Sequence, residues 1–307
     1  MTSTLDVRQI SVEYLSQGQP SPILHDVSCM LPQAQRTAVI GESGSGKSTF
    51  AFAITGLLHR SPSIRVTGES LFQGRNLLAL DVESLRGLRR KAIRYVFQEP
   101  SESFNPLLRL GTSIRASLCD GWDTERICSL LERVGLAEPL RVLRSYPHEL
   151  SIGMLQRAAI AVAVAPEPSL LIADEPTSAL DEPLKWQILD LLEDLRSSMQ
   201  CTSLVVSHDP MLLNVSVDQV IVFFAGRIVE INLNRPLRAE ALHPYTRMLA
   251  GVDARSRLLP PAPVGCAFHP RCPLAKDRCR TELPDLEQTS NGTWVRCFYW
   301  KSTTSGS

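Results

Sequence analysis

The chain has 307 residues, with 32 basic and 32 acidic side chains and eight cysteines. That length is about twice an ordinary single domain, and an apolar fraction of 44% is ample for a packed core. A net charge of zero argues against a protein built to coat nucleic acid, which carries a basic excess. Both charge and cysteine are unevenly spread. Residues 255–307 hold eight Lys/Arg against four Asp/Glu, while residues 1–254 hold 24 against 28. Cys29, Cys119, Cys128 and Cys201 are scattered, whereas Cys266, Cys272, Cys279 and Cys297 crowd into the last 42 residues. The longest apolar run, Ala158–Ala165, has eight residues, and a spanning helix needs about 20. Asp6, Arg8 and Glu13 interrupt the N-terminus where a signal peptide would be apolar. The expectation is a cytosolic chain, where thiols stay reduced and clustered cysteines more often serve metal or redox chemistry than disulfides.

In chain order, residues 5–14 (LDVRQISVEY) alternate in part and predict a strand, as do residues 23–31. Ile64–Arg75, with Gly68 and Gly74 around an alternating core, predicts a third, so the opening third reads as a small antiparallel sheet. Within it lies an apolar strand, Thr37–Ile40, running into GESGSGKST (Gly41–Thr49) and then an amphipathic helix through Leu58. Residues 111–165 are mostly helical in pattern. Ile127, Leu130, Leu131 and Val134 share one helical face, and Ser151 precedes an almost wholly apolar helix, Leu155–Ala165. Leu170–Ala173 predicts a buried strand ending at Asp174. Pro183 then sits in the first turn of a helix that runs to Met199. Thr202–Val206 predicts another buried strand, ending at Ser207-His208-Asp209. Val220–Phe224 and Arg227–Val229 bracket Gly226 as a hairpin, and residues 255–265 form a proline-rich linker.

Gly41–Ser48 has the spacing of a phosphate-binding loop. Glycines let the backbone curl so that N–H groups point inward at phosphate oxygens. The helix that follows presents the positive end of its dipole to the same anion. On this reading Gly41, Ser43, Gly44, Ser45, Gly46 and Thr49 shape the cradle. Lys47 adds a point charge for the outer phosphates, and Ser48 ligates Mg²⁺. Such a site needs a carboxylate at a neighbouring strand end. Asp174 supplies it, and the adjacent Glu175, pointing elsewhere, is the candidate general base for the attacking water. Two acids at a strand end also serve as cap or turn residues, but their pairing with the upstream loop favours the catalytic reading.

The order GESGSGKST, FQEP (Phe97–Pro100), LSIGMLQR (Leu150–Arg157), LLIADEPTSALD (Leu170–Asp181) and SHD (Ser207–Asp209) resembles the ATP-binding subunits of ABC transporters over residues 5–250. The resemblance implies an α/β P-loop NTPase. Its parts would be a RecA-like core with a mainly parallel sheet, an N-terminal antiparallel β-subdomain and an inserted α-helical subdomain at about 100–165. Residues 1–254 would form this ATPase domain, ahead of a short Cys-rich extension at 255–307. By the same resemblance Tyr14 stacks on adenine, Gln98 contacts Mg²⁺ and the attacking water, and His208 bonds the γ-phosphate. Ser151 and Gly153 bind the γ-phosphate of ATP held by a facing subunit, and Asp181 closes a loop at the dimer interface. Tyr14 also reads as an ordinary strand aromatic, and His208 as a helix cap. His148, His243 and His269 read as structural or linker residues. One departure stands out, because Ile152 replaces the first glycine of the family's Leu-Ser-Gly-Gly. A β-branched side chain is stiff and bulky where the backbone must approach phosphate. Because this signature acts on the partner's ATP, the expectation is an asymmetric pair of sites, the one completed by Ile152 being slower.

The four C-terminal cysteines are separated by five, six and 17 residues. Zinc sites favour pairs with two to four intervening residues, whereas iron–sulfur clusters accept four cysteines at varied spacing, and incidental thiols remain an alternative. GCAFHPRCPLAKDRC, with HPYT (His243–Thr246) before it, resembles the C-terminal extension of the peptide/nickel importer ATPases. That resemblance implies a 4Fe-4S cluster on Cys266, Cys272, Cys279 and Cys297. The sequence therefore reads as the energy-coupling ATPase of a bacterial importer of di- or oligopeptides, nickel or a metal chelate, peripheral on the cytoplasmic face of the inner membrane. Its partners would be two transmembrane permease subunits, a second and often unlike ATPase, and indirectly a substrate-binding protein. No nucleic acid is expected. The alternative is a soluble ABC ATPase in translation or DNA repair. An inactive scaffold is disfavoured by the presence of Lys47, Asp174, Glu175 and His208.

Overall fold

The structure is a computed structural model that describes residues 3–16, 19–58, 61–118, 122–209, 217–233, 240–252 and 260–303. Cys119 and residues 255–259 of the expected linker lie outside the described residues. The chain divides into two compact units. One comprises Met1–Thr4, Pro32–Ala34 and Ala79–Val205; the other comprises Leu5–Leu31, Gln35–Leu78 and Val206–Ser307.

The second of these opens with β1 (Ser3–Ser16), β2 (Gln19–Pro32), β3 (Arg36–Ile40), β4 (Ile64–Phe72) and β5 (Arg75–Asn76). The expected antiparallel sheet is present, in the order β2-β1-β4-β5, and β1 pairs with β4 from Leu5↔Phe72 to Tyr14↔Ile64. Its register shifts between Arg8 and Ser11. That bulge moves burial from the odd positions Leu5 and Val7 to the even positions Ile10 and Val12, which is why the alternation in the sequence is only partial. β3 is buried at all five positions. The helix after the glycine loop, α1 (Lys47–Ile54), is shorter than its apolar pattern predicts: Gly56 adopts a left-handed φ of 69° just beyond it and ends the helix there.

The other unit holds α2 (Val82–Lys91), β6 (Ile93–Val96), α3 (Leu110–Ser117), α4 (Thr124–Arg133), α5 (Pro139–Arg144), α6 (Ile152–Val164), β7 (Leu170–Asp174), α7 (Glu182–Met199) and β8 (Thr202–Ser207). Its strands run in the order β8-β7-β6, and β6 lies parallel to β7 from Ile93↔Leu170 to Val96↔Ala173. β7 and β8 are buried along their whole length, as strands covered on both faces must be. α6 buries nine of its 13 residues, nearly all Ala, Val, Ile or Leu, and is the spine of this unit's core. α6 starts at Ile152, three residues before the apolar run, because the Ser151 hydroxyl accepts a bond from the Met154 N–H and caps it there. α2 and β6 carry too weak a pattern to be expected: α2 buries only Leu85, and β6 is four residues long.

The C-terminal part of the second unit contains β9 (Gln219–Phe224), β10 (Arg227–Leu233), α8 (Pro244–Leu249), α9 (Asp277–Thr281), β11 (Glu287–Gln288) and β12 (Trp294–Val295). The predicted hairpin around Gly226 is present, and β3 lies parallel to β9 within the order β11-β12-β10-β9-β3. The Cys-rich extension adds to this sheet, with Glu230↔Val295 paired between β10 and β12. Phe268 from the extension is buried in one core with Ala38, Ile40, Val222, Phe224 and Tyr245.

Two buried ionisable groups hold the turn into α8. Glu230 accepts bonds from the backbone N–H groups of Leu242 and His243 at 3.1 and 2.7 Å. The His243 Nδ1 in turn accepts from the Tyr245 N–H at 3.1 Å and caps α8. Burial raises the Glu230 carboxyl from 4.5 to about 7, a rise limited by the bonds from His243 and Leu242. Burial, with nearby Arg296, lowers His243 from 6.5 to about 3. The two shifts have opposite linkage. Glu230 binds its proton more tightly when folded, so its contribution is present at low pH and is lost as pH rises through about 7. His243 contributes at neutral pH and loses that contribution as pH falls from 6.5 towards 3. Between pH 4.5 and 6.5 they offset each other. Glu230→Gln is expected to steepen the fall of the thermal midpoint on acidification across this window, and His243→Asn to flatten it. Identical slopes in wild type and both variants would contradict this account.

Candidate functional site

In the second unit, fully buried β3 delivers the chain into the loop at Gly41. A side chain at Gly41 would stand 2.3 Å from the Phe223 carbonyl, so only glycine lets the loop start this close to β9. Gly46, at the N-cap of α1, has φ 101° and no side-chain cap bond. The first N–H groups of α1 are thus presented at the loop, the arrangement that receives an anion. The Lys47 ammonium is buried and donates to the carbonyls of Gly41 and Glu42, both at 2.9 Å. Ser45 donates its N–H to the Glu42 carbonyl at 3.1 Å and accepts the Gly226 N–H at 2.9 Å. Its buried Oγ has no hydrogen-bond partner among the described residues. Ser43 and Gly44 are exposed on the rim, and Ser48 and Thr49 are half-buried in the first turn of α1. Tyr14 is half-exposed at the end of β1, and His208 is exposed just past β8.

In the other unit, β7 ends at Asp174, which is only 3% exposed. Its carboxylate accepts a 2.8 Å hydrogen bond from the Tyr95 hydroxyl of β6. Burial first, and the Asp174 charge second, raise the Tyr95 pKa, so the phenol stays a donor. Sequence reasoning missed Tyr95. The only available signal was the parallel alignment of two strand ends, which the short IRYV segment does not announce. Glu175 is buried and holds a left-handed φ of 49°, a costly backbone for a residue with a Cβ and a common mark of a working position. Val96 lies opposite Ala173, so Gln98, two residues on and exposed, emerges beyond the same sheet end as Asp174 and Glu175.

The signature residues sit at the start of α6. Ser151 is its exposed N-cap, Gly153 lies in its first turn, and between them Ile152 is 51% exposed. Half-exposed at that position, the isoleucine gains little from burial. Asp181 is the N-cap residue of α7.

The four C-terminal cysteines are free thiols that line one small cavity with His243, Phe268 and Tyr299. Burial pushes Cys272 up to about 11 and Cys297 up to about 12, with further contributions from the other thiols of the group. Among the described residues no three His, Cys, Asp or Glu side chains stand close enough to hold a single metal ion. Nor is any described helix long and apolar enough to cross a membrane.

A glycine phosphate loop opening a helix and carboxylates at the end of a parallel strand define a P-loop nucleotide-binding protein. Comparison with known proteins narrows this. The ABC transporter family model matches residues 24–178. The chain is 37% identical to the probable peptide ABC transporter ATP-binding protein y4tR of Sinorhizobium fredii, over 97% of this chain and 95% of that protein. It is 33% identical to the oligopeptide transport ATP-binding protein AppD of Bacillus subtilis, over 98% of each, and 34% identical to the dipeptide transport ATP-binding protein DppD of Escherichia coli, over 96% of each. The dimeric structure of MJ0796, a bacterial ABC transporter cassette, superposes with a TM-score of 0.65 at 28% identity, covering 75% of this chain and 99% of that one. The chain belongs to the ABC transporter ATPases, in the group of dipeptide and oligopeptide transport ATP-binding proteins.

The bond from Tyr95 orients a buried carboxylate, and hydrogen bonds to charged groups contribute about 1.5–3 kcal/mol. Tyr95→Phe is expected to lower ATP turnover by roughly tenfold or more and to raise the Mg²⁺ concentration giving half-maximal rate. A Mg²⁺ titration of the steady-state ATPase checks this, and an unchanged titration would show that Tyr95 does not position Asp174.

Proposed function

We propose that this chain is the energy-coupling subunit of a bacterial importer of dipeptides or oligopeptides. Full-length similarity to dipeptide and oligopeptide transport ATP-binding proteins is the observation that carries the reading. ATP binds at the Gly41–Thr49 loop with Lys47 on its outer phosphates and Tyr14 against the adenine. The hydroxyl of Ser48, the carboxylate of Asp174 and the amide of Gln98 are hard oxygen donors of the kind Mg²⁺ takes. By the family resemblance these residues would hold Mg²⁺, which would supply neutralisation of charge developing on the phosphates. Glu175 orients and deprotonates the attacking water, and His208 bonds the γ-phosphate. Ser151 and Gly153 serve the nucleotide of a second ATPase subunit. The exposed Ile152 in that signature makes the pair of sites unequal, which fits an unlike partner.

The permease partners have a receptive surface in the unit that carries the helices. A groove of about 550 Å³ runs beside β6, lined by Arg86, Arg90, Arg94, Phe97 and Phe104 among others. Phe97 is 40% exposed and directly precedes Gln98. A groove that mixes arginines with Phe97 and Phe104 suits a cytoplasmic loop of a transmembrane subunit, and a loop seated there would touch the residue next to the water-sensing glutamine. Cargo would be chosen by the permease and its substrate-binding protein.

The four cysteines would hold a 4Fe-4S cluster. Their soft donors and shared cavity are what favour this reading. Such a group would cross-link the extension and respond to redox change.

In vesicles carrying the complete transporter, peptide uptake is expected to require ATP and to be lost in Lys47→Ala. Glu175→Gln is expected to cut turnover about a hundredfold or more, and Ile152→Gly to raise it. Uptake indifferent to Lys47→Ala, or copurification with ribosomes or DNA in place of membrane subunits, would overturn the reading. Protein purified without oxygen is expected to contain about four iron and four acid-labile sulfide per chain. Stoichiometric zinc without sulfide would exclude the cluster.

A further inference from the structure

The first residue after Gly41 in the phosphate loop, Glu42, is bonded through every polar group it has. Its N–H donates to the Tyr245 hydroxyl oxygen at 2.8 Å. Its carbonyl accepts from the Lys47 ammonium and the Ser45 N–H. Its carboxylate receives both terminal nitrogens of Arg271, at 2.9 and 2.5 Å. Arg271 and Tyr245 both lie C-terminal to the ATPase motifs, and Arg271 belongs to the Cys-rich extension.

The Arg271 side chain is 3% exposed and its guanidinium lies 5.7 Å from the Phe224 ring and 5.4 Å from the Phe268 ring. Phe224, Phe268 and Tyr245 form one aromatic trio, with centroids 4.6–5.4 Å apart. A planar cation clamped between rings and paired in two places with a carboxylate has little freedom left. The same arginine closes a tight turn bracketed by two of the four cysteines. His269 donates its N–H to the Cys266 carbonyl, Arg271 to the Phe268 carbonyl, and Cys272 to the His269 carbonyl. The side chain that grips the loop is thus immediately followed by a residue of the cysteine cavity.

Glu42 poses a problem for a phosphate site, because a bare carboxylate beside a polyphosphate repels it. Arg271 offsets that charge locally and, through the Glu42 carboxylate, fixes the residue whose carbonyl accepts from Lys47. We propose that Arg271 is a positioning residue for nucleotide binding, and that through it the cysteine pocket of the extension sets the affinity of the phosphate loop for ATP. If the pocket is disturbed, the turn carrying Arg271 loosens, Glu42 loses its counter-charge, and the loop binds phosphate less well. This rests on ATP binding at the loop, and on neither the cargo nor the identity of the group held by the cysteines.

The test is the dissociation constant of a fluorescent ATP analogue with Mg²⁺, measured on the full chain without membrane partners. Arg271→Met, which keeps the apolar stem, is expected to weaken binding about tenfold. Adding Glu42→Gln to Arg271→Met is expected to recover affinity to within about threefold of wild type, because the repelling charge is gone. Cys272→Ser is expected to weaken binding in the same direction and to be rescued by the same second substitution. A merely structural arginine would lower the thermal midpoint without this charge-dependent rescue, so melting curves accompany each variant, and Arg271→Lys supplies a conservative control with intermediate affinity. Unchanged affinity in Arg271→Met, or failure of Glu42→Gln to rescue it, overturns the role of Arg271. Wild-type affinity in Cys272→Ser overturns the link to the cysteine pocket. Failure of peptide uptake or absence of iron bears on the importer and the cluster and leaves these binding constants untouched.

Discussion

A phosphate site made of backbone N–H groups has no side chain to adapt to its ligand, so it works only when the backbone is already held in the binding shape. Much of the second unit serves that constraint. β3 is buried at every position and pairs in parallel with β9, which fixes where the loop begins. Gly41 permits an approach to Phe223 that any side chain would block. The Gly226 N–H holds the Ser45 carbonyl, and the Tyr245 hydroxyl holds the Glu42 N–H. These partners lie far along the chain from the loop, so it is a local motif only in its composition.

The chemistry of the other unit follows a comparable logic with strands in place of glycines. Parallel strands covered on both faces end together, and the residues just past their ends are delivered to one edge. β6 and β7 bring Gln98, Asp174 and Glu175 to such an edge, and Tyr95 from one strand bonds Asp174 at the end of the other. The apolar helix α6 supports that unit's core and presents Ser151, Ile152 and Gly153 at its exposed start. The same element thus fills the interior and offers the signature residues proposed to serve a second subunit's nucleotide.

The C-terminal extension ties the outer and inner parts of the second unit together. It contributes Phe268 to the core, β12 to the sheet, four thiols to one cavity and Arg271 to the phosphate loop. A segment whose composition looks like an appendage is built into the fold at four different levels. The start of α8 is equally integrated, since the buried carboxylate of Glu230 and the neutral ring of His243 hold the backbone that carries Tyr245.

The sequence alone marked Gly41–Ser48, Asp174–Glu175, Ser207–Asp209 and the four cysteines as candidates, because residue type and spacing survive in a linear text. The same holds for the buried strands Leu170–Asp174 and Thr202–Ser207 and for the apolar helix behind Ser151, whose patterns are strong and continuous. α2 and β6 were not legible, because one buried leucine and four strand residues give too little periodicity to read. Tyr95 and Arg271 were invisible for a deeper reason. Each acts on a residue 79 or 229 positions away, and nothing in the local text records such a distance. Tertiary structure alone decided them, because only folding sets the register of two strands or lays a C-terminal turn against an N-terminal loop.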